Sequence, residues 1–203
     1  MNNEVLFRII FFTTFVAVLV IRLYFGRKIR QRDESSWRVE KEAVEREGLW
    51  SIVLRLILFF WMMATVTLYA INPTWIHFLA LPLPTWIRWL GAVLAIGSLP
   101  LLVWVHATLG RQWSTNLQFK ASHNLITSGP YRRVRHPMYT ALFSFFAGLG
   151  LLSANVSMIG MVVVAIVVLA VRIPKEEAMM VAQFGDTYQT YMQHTGRLLP
   201  RLG

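Results

Sequence analysis

The segment GPYRRVRHPMY, residues 129–139, lies directly before an apolar run that begins at Thr140. The Gly129-Pro130 pair interrupts regular structure on one side, and Pro137 suits the first turn of a helix, where its missing N–H costs nothing. The segment also holds three arginines, two tyrosines and one histidine. We therefore expect it to lie where a lipid-buried helix meets water, and to bind an anionic, partly aromatic small molecule.

The composition indicates a membrane protein. Of the 203 residues, 56% are hydrophobic, and they form runs too long for an ordinary soluble core. The formal charge of +10 could indicate nucleic-acid binding, but the basic residues cluster between the apolar runs, which favours membrane topology and no nucleic acid. The chain has no cysteine, which excludes disulfides and zinc–sulfur sites, and we expect no metal site.

The apolar runs predict an all-α, polytopic integral membrane protein with about five transmembrane helices. A run of about 20 residues crosses the hydrocarbon core at about 1.5 Å per residue. The predicted helices span residues 5–24, 49–71, 85–107, 138–152 and 156–171. Residues 153–155 allow only an antiparallel hairpin, with Asn155 as a helix cap, and Gly148 and Gly150 permit close helix approach. Pro100 is expected to kink the third helix, either for packing or beside a cavity.

The distribution of Lys and Arg predicts the orientation. These residues are concentrated in 26–47, 109–135 and the tail 172–203, whereas the connectors 72–84 and 153–155 contain none. Because basic loops stay on the cytoplasmic side, we expect the amino terminus outside and the carboxyl terminus in the cytoplasm. The loop before helix four and the tail would then meet on the cytoplasmic face, where we expect the active site.

The chain is predicted to have two parts. Residues 1–108 hold three N-terminal transmembrane helices and a charged cytoplasmic loop. Residues 109–203 form a catalytic half with a cofactor-binding loop, a helical hairpin and a cytoplasmic tail.

Several polar residues lie near the ends of the last two apolar runs. Glu176 and Glu177 follow the fifth run closely, and carboxylates so near a membrane helix are costly unless they are paired. The residue types alone are also consistent with two solvated glutamates in the first turn of an amphipathic helix. Arg172 fits a snorkelling anchor, and His136 fits a hydrogen-bonded residue at a helix start. Their roles stay open at this level.

Motifs in a fixed order add a family resemblance. They are HNLITSGPY at 123–131, RHPMY at 135–139, the Glu pair at 176–177, and FGDTYQTY at 184–191. In this combination the last hundred residues resemble the isoprenylcysteine carboxyl methyltransferase family. The resemblance implies an integral membrane enzyme that transfers a methyl group from S-adenosylmethionine to the carboxylate of a lipid-modified (prenyl) cysteine or a similar apolar acid. The acceptor would enter from the bilayer, among the membrane lipids.

The resemblance also implies the site residues. Arg172 and Glu176 would be the catalytic pair nearest the methyl transfer. The residues expected to bind the cofactor are His123, Leu125, Gly129, Tyr131, His136, Pro137, Tyr139, Glu176 and Glu177. How the two glutamates divide these roles is left open. Pro174-Lys175 stand where eukaryotic members have more acidic residues, which bears on the identity of the substrate.

Three alternatives compete with this interpretation. A phospholipid N-methyltransferase would attack with an amine that must lose a proton, giving a glutamate the role of a base. A sterol-type reductase would bind NADPH, and the adjacent glutamates argue against it. A membrane scaffold would not need so many polar aromatic residues on one face. A carboxylate acceptor is ionised at pH 7 and needs no base, and no G-x-G-x-x-G follows a strand, which excludes a Rossmann methyltransferase.

Overall fold

The computed structural model describes residues 3–30, 49–71, 74–109 and 125–201. Within these ranges there is no strand, so the all-α prediction is confirmed for the described part of the chain. Short 3-10 helices at Thr74–Leu79 and Gly129–Arg132 precede the third and fourth α-helices. The α-helices are α1 (Asn3–Arg30), α2 (Leu49–Ile71), α3 (Thr85–Leu109), α4 (Pro137–Ser153), α5 (Val156–Phe184) and α6 (Asp186–His194). Most of the predicted charged loop 26–47, and His123, lie outside the described residues.

Three of these helices are long and apolar enough to cross a bilayer. They are α3, α5 and the Asn3–Lys28 portion of α1. The apolar lengths of α2, Leu56–Ile71, and of α4 are shorter. The chain thus has several apolar helices of the kind expected for an integral membrane protein, while the count of about five spans, the orientation and the two-part division remain predictions.

The largest departure from the predicted helices is the end of α5. The apolar run stops at residue 171, but α5 continues through Pro174 to Phe184. The residues after Pro174 are mostly strong helix formers, and a single proline removes only one backbone hydrogen bond. The helix ends at Gly185, whose φ of 53° is readily adopted by glycine. Arg172 and Glu176 therefore lie on one face of one helix, one turn apart.

The α3–α4 crossing depends on small residues. A Cβ atom added at Gly148 would lie 2.6 Å from the Ala95 nitrogen and 2.7 Å from the Gly91 oxygen. One added at Gly91 would lie 2.8 Å from the Gly148 oxygen. The two backbones are therefore in direct contact, which confirms the close approach predicted for Gly148.

Contacts at both ends align α1 with α3. At one end Arg88 donates from Nη1 to Glu4 Oε2 at 2.6 Å, and from Nε and Nη2 to the Leu152 carbonyl at 2.9 and 2.8 Å. At the other end the rings of Phe25 and His106 stack with centroids 5.0 Å apart. The two helices therefore run side by side in the same direction, and their carboxyl ends lie at the same end of the bundle.

The α4–α5 hairpin folds as predicted. Ala154 adopts a φ of 48°, and Asn155 Oδ1 accepts hydrogen bonds from the backbone N–H groups of Ser157, at 2.9 Å, and Met158, at 3.3 Å. This N-terminal cap satisfies two backbone donors that have no partner within the helix. The hairpin brings the first turn of α4 beside the 172–177 stretch of α5.

The tail after α6 runs back along the segment that precedes α4. The backbone N–H of Arg135 donates to the Gly196 carbonyl at 2.8 Å, and that of His136 donates to the Arg197 carbonyl at 2.9 Å. These bonds hold residues 195–200 against the start of α4, so the tail becomes part of the polar site described next.

Candidate active site

Three parts of the chain meet at one end of the helical bundle. They are the segment 131–139 before and within the first turn of α4, the polar stretch 172–177 of α5, and residues 188–197 of α6 and the tail. They contribute three arginines and two glutamates whose side chains interact. The cluster therefore holds one positive charge in excess, not counting histidine.

The carboxylate of Glu177 is enclosed by two guanidinium groups. Arg135 Nε lies 2.8 Å from Oε1, and Arg197 approaches Oε2 with Nε at 2.9 Å and Nη2 at 2.8 Å. Arg135 also donates from Nη1 to the carbonyls of Met192, at 3.0 Å, and Thr195. The side chains of Glu177 and Arg135 are only 5% and 7% exposed. Glu177 therefore joins α5 to the segment before α4 and to the tail, and both of its oxygens are already bound.

Glu176 has a different environment. Its Oε1 accepts hydrogen bonds from the Tyr139 hydroxyl at 2.5 Å and from Arg172 Nε at 2.8 Å. Nδ1 of His136 lies 3.6 Å from the other oxygen, Oε2. The Glu176 and Arg172 side chains are 20% and 21% exposed, so this carboxylate remains accessible from outside. Glu176 is thus the glutamate of the pair that can contact a ligand.

His136 lies between the two glutamates. Its ring stacks on that of Tyr139, with centroids 5.6 Å apart, and its Nε2 lies 3.4 Å from Glu177 Oε1. That nitrogen is buried and has no hydrogen-bond partner among the described residues. Burial lowers the pKa of His136, opposed by the carboxylates of Glu176 and Glu177. Both ring nitrogens of His136 therefore face carboxylate oxygens, Nδ1 that of Glu176 and Nε2 that of Glu177.

Tyrosines of α6 close the side of the cluster. The Tyr191 hydroxyl donates to the Tyr131 carbonyl at 2.5 Å, and the rings of Tyr188 and Tyr191 lie 5.7 Å apart. Burial raises the pKa of Tyr191 to about 12, and it raises the pKa of Tyr131 and Tyr188 as well. These hydroxyls are therefore neutral at physiological pH, and that of Tyr191 acts as a hydrogen-bond donor.

The residues assigned from the sequence lie in different places. His136, Tyr139, Arg172, Glu176 and Glu177 come together in the cluster described above, and Tyr131 lies beside it, with its carbonyl bound by the Tyr191 hydroxyl. Gly129 and Pro137 line a separate apolar cleft, and Leu125 begins the described part of the loop before α4. His123 lies outside the described residues. The assignment of these residues to a cofactor is still a prediction.

Two important residues were not assigned from the sequence. Arg135 stands within the recognised RHPMY motif, so its position offered a signal. Arg197 lies 20 residues beyond Glu177 in a tail without periodicity, and its pairing follows only from the path of the tail. Within the described ranges, no group of three or more histidine, aspartate or glutamate side chains is placed to hold a metal ion.

The fold and the site define a helical membrane protein with a cluster of interacting charged side chains at the end of its apolar helices. The model of the isoprenylcysteine carboxyl methyltransferase (ICMT) family matches residues 89–182. This match assigns that segment to the family and confirms the resemblance. It includes every site residue assigned from the sequence, whereas Arg197 lies beyond it.

Several characterised proteins are similar to this chain. The nickel-cobalt-cadmium resistance protein NccN of Alcaligenes xylosoxydans xylosoxydans is 25% identical over 77% of this chain and 65% of its own length. The cobalt-zinc-cadmium resistance protein CzcN of Cupriavidus metallidurans is 27% identical over 47% of this chain and 45% of its own. The protein-S-isoprenylcysteine O-methyltransferase of Schizosaccharomyces pombe is 37% identical over 38% of this chain and 34% of its own.

A solved structure supports the fold. The eukaryotic intramembrane Ras methyltransferase ICMT aligns with a TM-score of 0.57 and 23% identity, over 71% of this chain and 52% of that one. The two chains therefore share a fold. This chain spans less than two thirds of the length of each of these four proteins.

Proposed function

We propose that this protein is an integral membrane methyltransferase that uses S-adenosylmethionine to methylate the carboxylate of a prenyl-modified cysteine or a similar apolar acid. The observation that carries the proposal is the contact of Tyr139 and Arg172 with Glu176, inside the segment that matches the ICMT family. The relatives named above supply no support for a phospholipid N-methyltransferase or a sterol-type reductase.

The chemistry of the described residues fits the cofactor. S-adenosylmethionine carries a sulfonium cation, an ammonium, a carboxylate and several ribose and adenine polar atoms. The accessible carboxylate of Glu176 provides a polar partner, and the Tyr139 ring can face a cation. We assign these residues to the cofactor, with the loop before α4 completing its site.

When bound, S-adenosylmethionine supplies a methyl group on a positively charged sulfur, so transfer to a carboxylate cancels two charges and requires no proton transfer. The protein must therefore align the acceptor and exclude water. Glu176 fixes the Arg172 guanidinium through Nε. Because a guanidinium has five N–H donors, Arg172 can also orient an acceptor carboxylate.

The position of the cluster supports an acceptor that arrives from the membrane. The polar groups gather where α5 changes from apolar to charged residues, at the end of a candidate membrane span. An apolar chain could stay in the bilayer while its carboxylate reaches Arg172. From the distribution of basic residues, we place this site on the cytoplasmic face.

The proposal can be tested with purified protein, radiolabelled S-adenosylmethionine and two acceptors. A farnesylated cysteine offers a carboxylate, and phosphatidylethanolamine offers an amine. We expect label only on the first, in a form released by alkali, because methyl esters hydrolyse and N-methyl groups do not. Glu176→Gln should lower this transfer, whereas Lys175→Gln, at the exposed neighbouring position, should leave it unchanged.

Two results would contradict the proposal. Alkali-stable label on phosphatidylethanolamine would identify an N-methyltransferase. Binding of NADPH without binding of S-adenosylhomocysteine, measured by calorimetry, would identify a reductase.

A further inference from the structure

A cleft lies on the side of residues 129–137 that does not face Glu176. In the first turn of α4, His136 and Tyr139 face the glutamates, whereas Pro137 and Thr140 line this cleft. The cleft encloses about 560 Å³, within the range of pockets that hold small organic ligands. It is therefore large enough to hold a ligand of its own.

The walls of the cleft are mostly apolar. They are formed by Leu101 and Trp104 of α3 and by Leu198 and Leu199 of the tail. Leu101 and Trp104 lie in the last turns of a helix that can cross a membrane, and Trp104 is 54% exposed. Tryptophan at a span end is typical of the interface between hydrocarbon and headgroups. The cleft is thus at the depth where a lipid chain meets its headgroup.

Two arginines give the cleft its charge. Arg132 and Arg133 line it and are exposed, and neither has an ion-pair partner among the described residues. Among the described residues that line the cleft, none is acidic. By contrast, Arg135 and Arg197 are both paired with Glu177. Two arginines at consecutive positions that line an apolar cleft are complementary to a phosphate that carries an acyl chain.

We propose that this cleft binds one anionic phospholipid of the surrounding membrane, with its phosphate on Arg132 and Arg133 and one acyl chain along Leu101 and Trp104. The methyl acceptor is a poorer occupant, because its carboxylate must reach Arg172 and Glu176 and the cleft opens on a different face of α4. The lipid would touch Leu198, next to Arg197. It would therefore hold the tail against the active site.

The test is calorimetric titration of the whole protein in neutral detergent. Dioctanoyl phosphatidylglycerol is the probe, dioctanoyl phosphatidylcholine the zwitterionic comparison, and glycerol 3-phosphate the chainless comparison. We expect saturable binding of phosphatidylglycerol at one site, about tenfold or more tighter than phosphatidylcholine. Glycerol 3-phosphate should bind more weakly than phosphatidylglycerol, because it cannot fill the apolar walls.

Charge variants separate this site from general surface electrostatics. The double variant R132Q/R133Q should weaken phosphatidylglycerol binding about tenfold or more. The matched control R27Q/K28Q removes two exposed cations from the end of α1, which lies at the same end of the bundle, and should leave the affinity unchanged. Leu101→Trp should weaken lipid binding by filling the cleft while keeping both arginines.

Each result that would contradict the lipid site indicates a different explanation. Equal affinity for the two lipids, or equal loss in the two double variants, would overturn the proposal. Equal binding of glycerol 3-phosphate would indicate a site for free phosphate. Displacement of phosphatidylglycerol by a farnesylated cysteine at equal stoichiometry would assign the cleft to the methyl acceptor. Methyl transfer and S-adenosylhomocysteine binding are measured separately, so failure of the lipid site leaves the proposed function untouched.

Discussion

Glu176 and Glu177 are consecutive residues of α5, yet their carboxylates have different partners: Glu177 lies between Arg135 and Arg197, and Glu176 faces Tyr139 and Arg172. Successive residues of an α-helix point about 100° apart, so the pair reaches two environments from one position. One glutamate holds the site together, and the other is accessible to a ligand.

The first prediction concerns this difference in stability. Glu177→Gln should destabilise the protein by about 3–5 kcal/mol, because it removes the negative charge that pairs with the buried guanidinium of Arg135. Glu176→Gln should cost clearly less, since the Glu176 side chain is 20% exposed against 5% for Glu177. Thermal unfolding in detergent measures both. Equal losses in the two variants would contradict the assigned division.

The sequence predicted much of this arrangement. Long apolar runs predicted the positions of α1 to α4 to within a few residues, except at the carboxyl end of α1, because burial in lipid imposes a strong compositional pattern. The order of the motifs predicted that His136, Tyr139, Arg172 and the two glutamates belong to one site. Composition could not predict where α5 ends, because its last turns are polar and contain a proline, so the apolar pattern stops before the helix does.

The role of the tail could not be predicted from local sequence. Arg197 reaches Glu177 because residues 195–200 return along the start of α4, held by backbone hydrogen bonds such as that from Arg135 to Gly196. Backbone bonding of this kind leaves no side-chain pattern. It depends on where α6 ends and how the chain turns, which are tertiary properties.

The second prediction tests the orientation of Arg172. Tyr139→Phe removes the hydroxyl that binds Glu176 Oε1, the oxygen that also accepts from Arg172. A hydrogen bond to a charged group contributes about 1.5–3 kcal/mol, so kcat for methyl transfer should fall about tenfold or more. The KM for S-adenosylmethionine should change less, and the unfolding temperature should fall because the hydrogen bond to Glu176 is lost.

Tyr191→Phe is the matched control for that variant. It removes an equivalent hydroxyl, but one that donates to the Tyr131 carbonyl and has no contact with a glutamate. If both variants reduce kcat equally, the effect of Tyr139 does not run through Glu176.

The third prediction concerns pH. Burial lowers the pKa of His136 below its usual value of 6.5; the carboxylates of Glu176 and Glu177 act in the opposite direction, and Arg135 acts with burial. Above pH 6.5 the imidazole of His136 is mostly neutral in both the folded and the unfolded protein, so its contribution to stability is complete. As the pH falls below 6.5, the unfolded chain takes up a proton first, and stability decreases.

The measurement is the unfolding temperature between about pH 7.5 and 5. The wild-type protein should lose more stability over this range than His136→Asn, because the variant lacks the titrating group. His194→Gln, at an exposed position in the last turn of α6, should follow the wild-type curve. A His136→Asn curve as steep as that of the wild type would assign the pH dependence to other groups.

The last prediction concerns the α3–α4 crossing on which the first turn of α4 depends. Gly148→Ala places a Cβ 2.6 Å from the Ala95 nitrogen, and a backbone atom cannot move aside as a flexible side chain can. We expect a loss of about 1–3 kcal/mol in the free energy of unfolding. Gly97→Ala in α3 is the control, because a Cβ there meets nothing within 4 Å, and alanine is the better helix former by about 1 kcal/mol. In denaturant unfolding, Gly148→Ala should therefore be less stable than the wild type, and Gly97→Ala should be more stable. A Gly148→Ala variant as stable as the wild type would mean that α3 and α4 can move apart without a loss of free energy.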